Sequence, residues 1–113
     1  MTAGFLDYEC VRGEPFSSVI TVYNPDNKLA DLEFWESRMQ VRKTMAEADY
    51  MIELSTTNGR ISHNTENATI SLSISSEDTT SLSLGEHLYD LELFSNNLRP
   101  ATMKLVKGKF TVR

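Results

Sequence analysis

The chain has 113 residues, of which 40% are hydrophobic and 24% are charged, and its formal net charge is −5. A chain of this length can bury a core without metals or disulfides, and no apolar run approaches the roughly 18 residues that a membrane-spanning helix needs. An acidic balance disfavours binding to a phosphate backbone, which depends on clustered Lys and Arg. We therefore expect one domain over residues 1–113, with neither nucleic acid nor a membrane as its partner.

The N-terminal residues differ from a secretory signal, because Asp7 and Glu9 interrupt the apolar segment that such a signal requires. Cys10 is the only cysteine, so no internal disulfide can form. Both observations favour a protein that stays in a reducing cytoplasm.

Alternation of apolar and polar residues predicts that most of the chain is β-strand. It is clearest over residues 67–75, where Ala68, Ile70, Leu72 and Ile74 share one side of the strand. The predicted strands lie near residues 4–10, 15–23, 35–43, 49–55, 60–63, 67–75, 86–94 and 101–113, and residues 1–11 form either an extended arm or an edge strand. Seven to eight short strands separated by turns are typical of an all-β sandwich or barrel.

One irregularity is predicted in the last strand. Met103 and Leu105 are out of phase with Phe110 and Val112 in the apolar alternation. A β-bulge restores such a phase, so we expect one at residues 106–108.

The connections between strands carry their own signals. Asn58-Gly59, placed between two strand-like segments, predicts a β-hairpin. Helix can intrude at residues 44–48 and 76–82, and Ser76 or Asp78 is expected to cap a single turn in the second of these segments.

Residues that carry catalysis or bind metals are sparse. Cys10, His63 and His87 lack the paired spacing of a zinc site, and both histidines are expected to be solvent-exposed, in or beside turns. The acidic residues between positions 26 and 36 lack the glycine and the spacing of an EF-hand loop. No Gly-rich phosphate loop and no G-x-S-x-G motif is present. Paired carboxylates distant in the sequence are not excluded, but we expect no enzyme activity, no cofactor and no metal.

A candidate protein interface lies near the predicted strand 35–43. Phe34 and Trp35 are adjacent, so within a strand they point to opposite faces. Either both rings lie at a buried end of the strand, or one is exposed beside Arg38 and Arg42, which alternate with inward-facing residues. In the second case Phe34, Trp35, Arg38 and Arg42 form a contact surface.

Several phrases of the sequence occur together in an order and spacing that resemble a known family. They are Arg12-Gly13-Glu14, Pro25-Asp26-Asn27, Asp31-Leu32, Met39-Gln40-Val41-Arg42, Asn58-Gly59-Arg60-Ile61, Ser76-Glu77-Asp78-Thr79, Leu82, Gly85, Tyr89-Asp90-Leu91-Glu92-Leu93 and Gly108-Lys109-Phe110-Thr111-Val112. Over residues 12–113 the chain resembles small structural proteins of tailed bacteriophages and prophages that are related to the N-terminal domain of the siphophage baseplate upper protein.

The resemblance implies an Ig-like antiparallel β-sandwich without catalytic residues. It implies a virion structural protein, an attachment or adaptor module of the tail, baseplate or neck that acts by protein–protein assembly with other phage structural proteins. Such a protein is a homo-oligomer within the virion and is found in the host cytoplasm during assembly. The alternatives are a capsid decoration protein, either cement or head fibre, and a carbohydrate- or receptor-binding module.

The resemblance also assigns structural roles. It makes residues 76–84 a crossover between two sheets, with Gly85 starting the next strand, and it implies that Tyr89 buries its ring and bonds its hydroxyl to a backbone group. Two departures from the family pattern concern detailed contacts rather than the fold: Glu33-Phe34 replaces the usual Thr-Gly, and His87-Leu88 precedes Tyr89.

Overall fold

The computed structural model describes residues 4–24, 26–44, 49–95 and 101–113. Strands hold 57% of the described residues and helix holds 5%, and two sheets face each other, so the predicted all-β sandwich is confirmed. In chain order the elements are β1 (Gly4–Phe5), β2 (Tyr8–Cys10), β3 (Phe16–Thr21), β4 (Glu36–Arg42), β5 (Ile52–Ser55), β6 (Ile61–Asn64), β7 (Thr69–Ile74), α1 (Ser76–Thr80), β8 (Gly85–Ser95) and β9 (Ala101–Val112).

The larger sheet has the order β1-β9-β8-β4-β5, with β2 also paired to β9, and the smaller sheet has the order β3-β7-β6. All pairs are antiparallel except those that β1 and β2 make with β9. The orders β3-β7-β6 and β9-β8-β4-β5 match strands B-E-D and G-F-C-C′ of an immunoglobulin-like sandwich. The strand predicted near residues 4–10 is two short strands in the structure, which raises the number of strands in the described residues to nine.

Residues 4–10 lie at the edge of the larger sheet in a single register. Gly4 lies opposite Val106, and Tyr8 lies opposite Phe110, so β1 and β2 follow one line along β9. The interruption between β1 and β2 is therefore local, and both strands keep β9 as their partner.

The interruption has a steric and a polar cause. The Leu6 carbonyl approaches Gly108 so closely that an added Cβ would lie 2.2 Å from its oxygen, so only glycine fits there without a shift of the backbone. The Asp7 carboxylate accepts a hydrogen bond from the Lys109 backbone N–H at 2.9 Å. A side-chain oxygen thus replaces a strand carbonyl at this point.

The core lies between the sheets and follows the predicted alternation. Ala68, Ile70, Leu72 and Ile74 are all buried. Burial of apolar area is the main favourable term in folding, at about 25 cal/mol per Å². The strand over these residues is therefore half-buried, as predicted.

Four aromatic rings lie in contact within this core. The ring centroids of Tyr8 and Phe16 are 5.4 Å apart, those of Tyr8 and Tyr89 are 5.4 Å apart, and those of Phe16 and Phe110 are 5.3 Å apart. The buried Tyr89 donates its hydroxyl hydrogen bond to the Leu6 carbonyl, which confirms the expected backbone partner. Rings from both sheets are thus joined in one cluster.

The β-bulge lies one residue earlier than predicted. Leu91 pairs with Val106, whereas Glu92 pairs with Lys104, which leaves Leu105 as the extra residue. Leu105 and Val106 are both buried although they are adjacent, so the apolar phase changes between them.

The predicted hairpin at Asn58-Gly59 is wrong, because β5 and β6 belong to different sheets. The Asn58 side chain instead covers the free edge of β5. Its Oδ1 accepts from the Ser55 N–H at 3.0 Å, and its Nδ2 donates to the Glu53 carbonyl at 2.9 Å. Turn-forming residues here close an edge rather than join two neighbouring strands.

Helix α1 carries the chain from the smaller sheet to the larger one, as expected for residues 76–84. Its N-cap is Ser75 rather than Ser76 or Asp78: the Ser75 backbone is extended and its Oγ accepts from the Asp78 N–H at 3.2 Å. Among the described residues no helix has the length and apolar character of a membrane span. The other predicted helical segment, residues 44–48, falls mostly outside the described residues.

The crossover is fixed by polar contacts with two distant loops. The fully buried Thr79 accepts a hydrogen bond from the Gly13 N–H at 3.1 Å and donates to the Glu14 carbonyl at 2.8 Å through the same Oγ1. Arg60 contacts the Asp78 carboxylate at 2.9 Å. Three separate parts of the sequence therefore meet at α1.

Both histidines lie in strands rather than turns, so the prediction that they are solvent-exposed is wrong. His87 faces the interior and is buried, with its Nδ1 3.1 Å from the Gly85 carbonyl oxygen. His63 of β6 is half-buried, and its Nε2 lies 2.6 Å from Oγ of Ser37 in β4. Because β4 and β6 belong to different sheets, the second contact ties the sheets together.

Replacing Thr79 by valine is expected to lower the free energy of unfolding by about 2 kcal/mol, because it removes the two hydrogen bonds that the buried Thr79 hydroxyl makes with the Gly13 N–H and the Glu14 carbonyl. The control is Thr80→Val, since the exposed Thr80 hydroxyl donates only within the helix, to the Ser76 carbonyl. Urea unfolding of both variants measures the difference, and equal losses would contradict the assigned role of Thr79.

Acidification is expected to destabilise the fold through His63. Burial lowers the pKa of His63 in the folded protein. The unfolded histidine, with a pKa of about 6.5, then binds a proton more readily than the folded one, so stability is full above that pH and falls as the pH drops below it.

Urea unfolding at about pH 7.5, 6.5 and 5.5 measures this loss above the range in which carboxylates titrate. In His63→Gln the decline between these pH values should be smaller than in the native protein. If the free energies of unfolding of the two proteins fell equally with pH, His63 would be ruled out as the source of the acid destabilisation.

Candidate protein interface

The outward side of the larger sheet collects most of the charged strand residues. Strand alternation places there the side chains that point away from the core. We call this surface the outer face; its residues on β4, β8 and β9 are Arg38, Gln40, Arg42, Leu88, Asp90, Glu92, Phe94, Lys104, Lys107 and Lys109.

The centre of the outer face is an internally compensated charge network. Asp90 is only 6% exposed and lies 3.0 Å from the Lys104 ammonium and 4.0 Å from the Arg42 guanidinium. A carboxylate this far from water is tolerated only when cations compensate it. Arg38 lies 3.0 Å from the Glu92 carboxylate. The basic side chains of this region therefore already face acidic partners within the chain.

The same network holds an aromatic ring in place. The Arg38 guanidinium carbon lies 5.2 Å from the centroid of the Phe94 ring, within the range of a cation–π contact. Gln40 donates to the Glu53 carboxylate at 2.6 Å and accepts from Arg42. Cross-strand contacts thus fix most long side chains of the outer face in defined positions.

Beside the network lies an apolar hollow of about 320 Å³, which we call the Phe5 hollow. The hollow is lined by Phe5, Asp7, Leu88, Tyr89, Lys107, Gly108 and Lys109. Phe5 is 78% exposed, and the Lys107 ammonium lies 5.0 Å from its ring centroid. Apolar area flanked by charged side chains is common in protein interfaces.

The structure places the four residues of the predicted contact surface in different environments. Arg38 and Arg42 lie on the outer face, as the alternation predicted. Phe34 and Trp35 precede β4, which begins at Glu36. Phe34 is 72% exposed in a turn with φ of 67°, whereas Trp35 is half-buried and packs against the core. The adjacent aromatics therefore do not occupy opposite faces of one strand.

Two aromatic residues of the surface were not identified from the sequence. Phe94 shares the outward phase of Asp90 and Glu92, so continued alternation along β8 would have found it. Phe5 carries no such signal, because its position depends on pairing with Lys107, which is 102 residues away.

The buried polar groups include one close serine–histidine pair. Ser37 and His63 are close enough for a nucleophile and its base, but Ser37 is fully buried between the sheets, where a substrate has no access. Among the described residues, no group of three or more His, Cys, Asp or Glu side chains could hold a metal ion.

Comparison with known proteins gives no match, either to a protein-family model or to a curated protein.

Proposed function

We propose that this chain is a bacteriophage virion structural protein, an attachment or adaptor module of the tail, baseplate or neck that docks onto other structural proteins through its outer face. The observation that carries the proposal is the Phe5 hollow, an exposed apolar site set beside an ordered charged surface. The proposed location in the tail, baseplate or neck rests on the family resemblance.

The Phe5 hollow is suited to serve as the energetic centre of a contact. Full burial of a phenylalanine side chain contributes about 1.5–3 kcal/mol, and most of the Phe5 side chain is exposed in the single chain. Leu88, which lines the same hollow, adds apolar area. Aromatic anchors of this kind dominate the affinity of many interfaces.

The charged network makes the surrounding surface selective. Because Arg38, Arg42 and Asp90 are already held by neighbouring side chains, little rotamer entropy is lost when a partner covers them. Lys107, whose ammonium lies over the Phe5 ring, favours a partner with an acidic residue at the matching position, whereas Lys109 already faces the Glu86 carboxylate at 3.6 Å. Repetition of the contact around a symmetric particle would raise the total affinity without new contacts.

Three of the sequence phrases that carry the resemblance contact one another at α1. Arg12-Gly13-Glu14 and Ser76-Glu77-Asp78-Thr79, two of its phrases, contact each other through the Thr79 hydroxyl, and Arg60 of a third phrase contacts Asp78. These phrases therefore maintain the fold, while the outer face provides the surface for docking.

The particle itself tests the proposal. Quantitative mass spectrometry of purified virions should find about six to a few tens of copies of the chain for a tail, baseplate or neck adaptor. Hundreds of copies would favour the alternative, a capsid decoration protein. Absence from purified virions would overturn the virion proposal.

A variant tests the surface. In a phage that carries Phe5→Asp, incorporation of the chain into particles is expected to fall about tenfold or more, since a charge replaces the apolar anchor. The control is Leu29→Asp, which introduces the same charge at another exposed apolar position. Equal incorporation of both folded variants would show that the Phe5 hollow does not dock the protein.

A further inference from the structure

The outer edge of β3 is an open end of the smaller sheet. β3 is the terminal strand in the order β3-β7-β6. The Val22 N–H bonds to the Ala68 carbonyl at 2.8 Å, in register with the pairing of β3 and β7. The alternation of antiparallel bonding therefore directs the N–H and C=O groups of Ser17, Val19 and Thr21 away from β7. Within the described ranges no strand pairs with these groups.

This edge lacks the features that usually prevent strand addition. Residues 16–22, Phe-Ser-Ser-Val-Ile-Thr-Val, contain no charge, no proline and no glycine, and β3 has a regular register without a bulge. Edge strands of soluble proteins commonly carry such interruptions. Val19, at the middle of the edge, is a β-branched residue that is 65% exposed.

The opposite situation holds at β5, the terminal strand of the larger sheet. There the Asn58 side chain accepts a hydrogen bond from the edge-facing Ser55 N–H and donates one to the edge-facing Glu53 carbonyl. The open edge of β3 thus differs from an edge that the chain itself closes.

The topology leaves a position for one more strand beside β3. In an immunoglobulin-like sheet of order A-B-E-D, strand A lies beside strand B, whose place β3 takes. Here β1 and β2 pair with β9 instead, so the N-terminal strands do not cover β3.

We infer that β3 of a second copy of the chain occupies this position, antiparallel, with the two-fold axis at Val19. The edge-facing groups define the register: Val19 lies opposite Val19 of the second copy, and Ser17 lies opposite Thr21 of the second copy. Three hydrogen-bonded pairs of this kind give about six backbone bonds between the copies. The two smaller sheets become one continuous six-stranded sheet.

The residues of β3 are suited to pairing with β3 of a second copy. Each chain has a net charge of −5, yet this strand is uncharged, so the copies meet without like charges in the ladder. The two Val19 side chains cover each other on the outward side, flanked by hydroxyl pairs of Ser17 and Thr21. Pro15 falls opposite Tyr23 and ends the ladder, because proline has no N–H to donate.

Sedimentation velocity of the purified chain tests the contact over about 1–200 µM. A species of twice the 12.8 kDa chain mass is expected to grow with concentration. Val19→Lys should shift the protein to monomer, with at least a tenfold weaker association, because it places two ammonium groups at the axis. Ser62→Lys is the matched control: it adds the same charge on the exposed side of β6, two strands from the contact, and should leave the dimer intact.

Mixing Val19→Lys with Val19→Glu tests the register. Opposite charges at the axis should restore the dimer as a heterodimer, while each variant alone stays monomeric. A native chain that is monomeric throughout, a Val19→Lys variant that still dimerises, or a mixture that fails to pair would each overturn the inference. The contact uses a different surface from the outer face, so this result and the docking function can fail separately.

Discussion

Four aromatic rings in contact between the sheets are the interaction on which the rest of the sandwich depends. Phe110 of β9 contacts Phe16 of β3, and Tyr8 of β2 contacts both Phe16 and Tyr89 of β8. Each such contact contributes about 0.5–1.5 kcal/mol beyond the burial of area. Burial raises the pKa of Tyr89, so its hydroxyl stays protonated and donates to the Leu6 carbonyl. One cluster thereby positions strands of both sheets and the N-terminal edge.

The outer face follows from that interior. Because Tyr89 points inward, its neighbours Leu88 and Asp90 must point outward, one toward the Phe5 hollow and the other into the charge network. The close passage of Leu6 over Gly108 brings Phe5 onto the same surface. The candidate interface is thus a consequence of how the core fixes three neighbouring strands.

Local alternation was sufficient to predict the strands, the inward residues such as Ile70 and Leu72, and the outward placement of Arg38 and Arg42. It was insufficient where a residue's role depends on distant pairing, as for Phe5. Asn58 shows a second limit of sequence-based prediction. The residue types Asn-Gly predict that the chain turns at this point, but they do not indicate to which sheet the next strand belongs. The histidines were misplaced because inward polar positions have no apolar signal.

The parallel pairing of β1 and β2 with β9 has a mechanical consequence. Residue 4 lies beside Val106 at one end of this ladder, and Cys10 bonds with Arg113 at the other end. A pulling force applied between residues 4 and 113 would slide the two segments along each other and load their hydrogen bonds together, instead of opening them one after another. Resistance to such a force is set by the barrier to unfolding rather than by equilibrium stability. The fold therefore resists tension along this direction by shear.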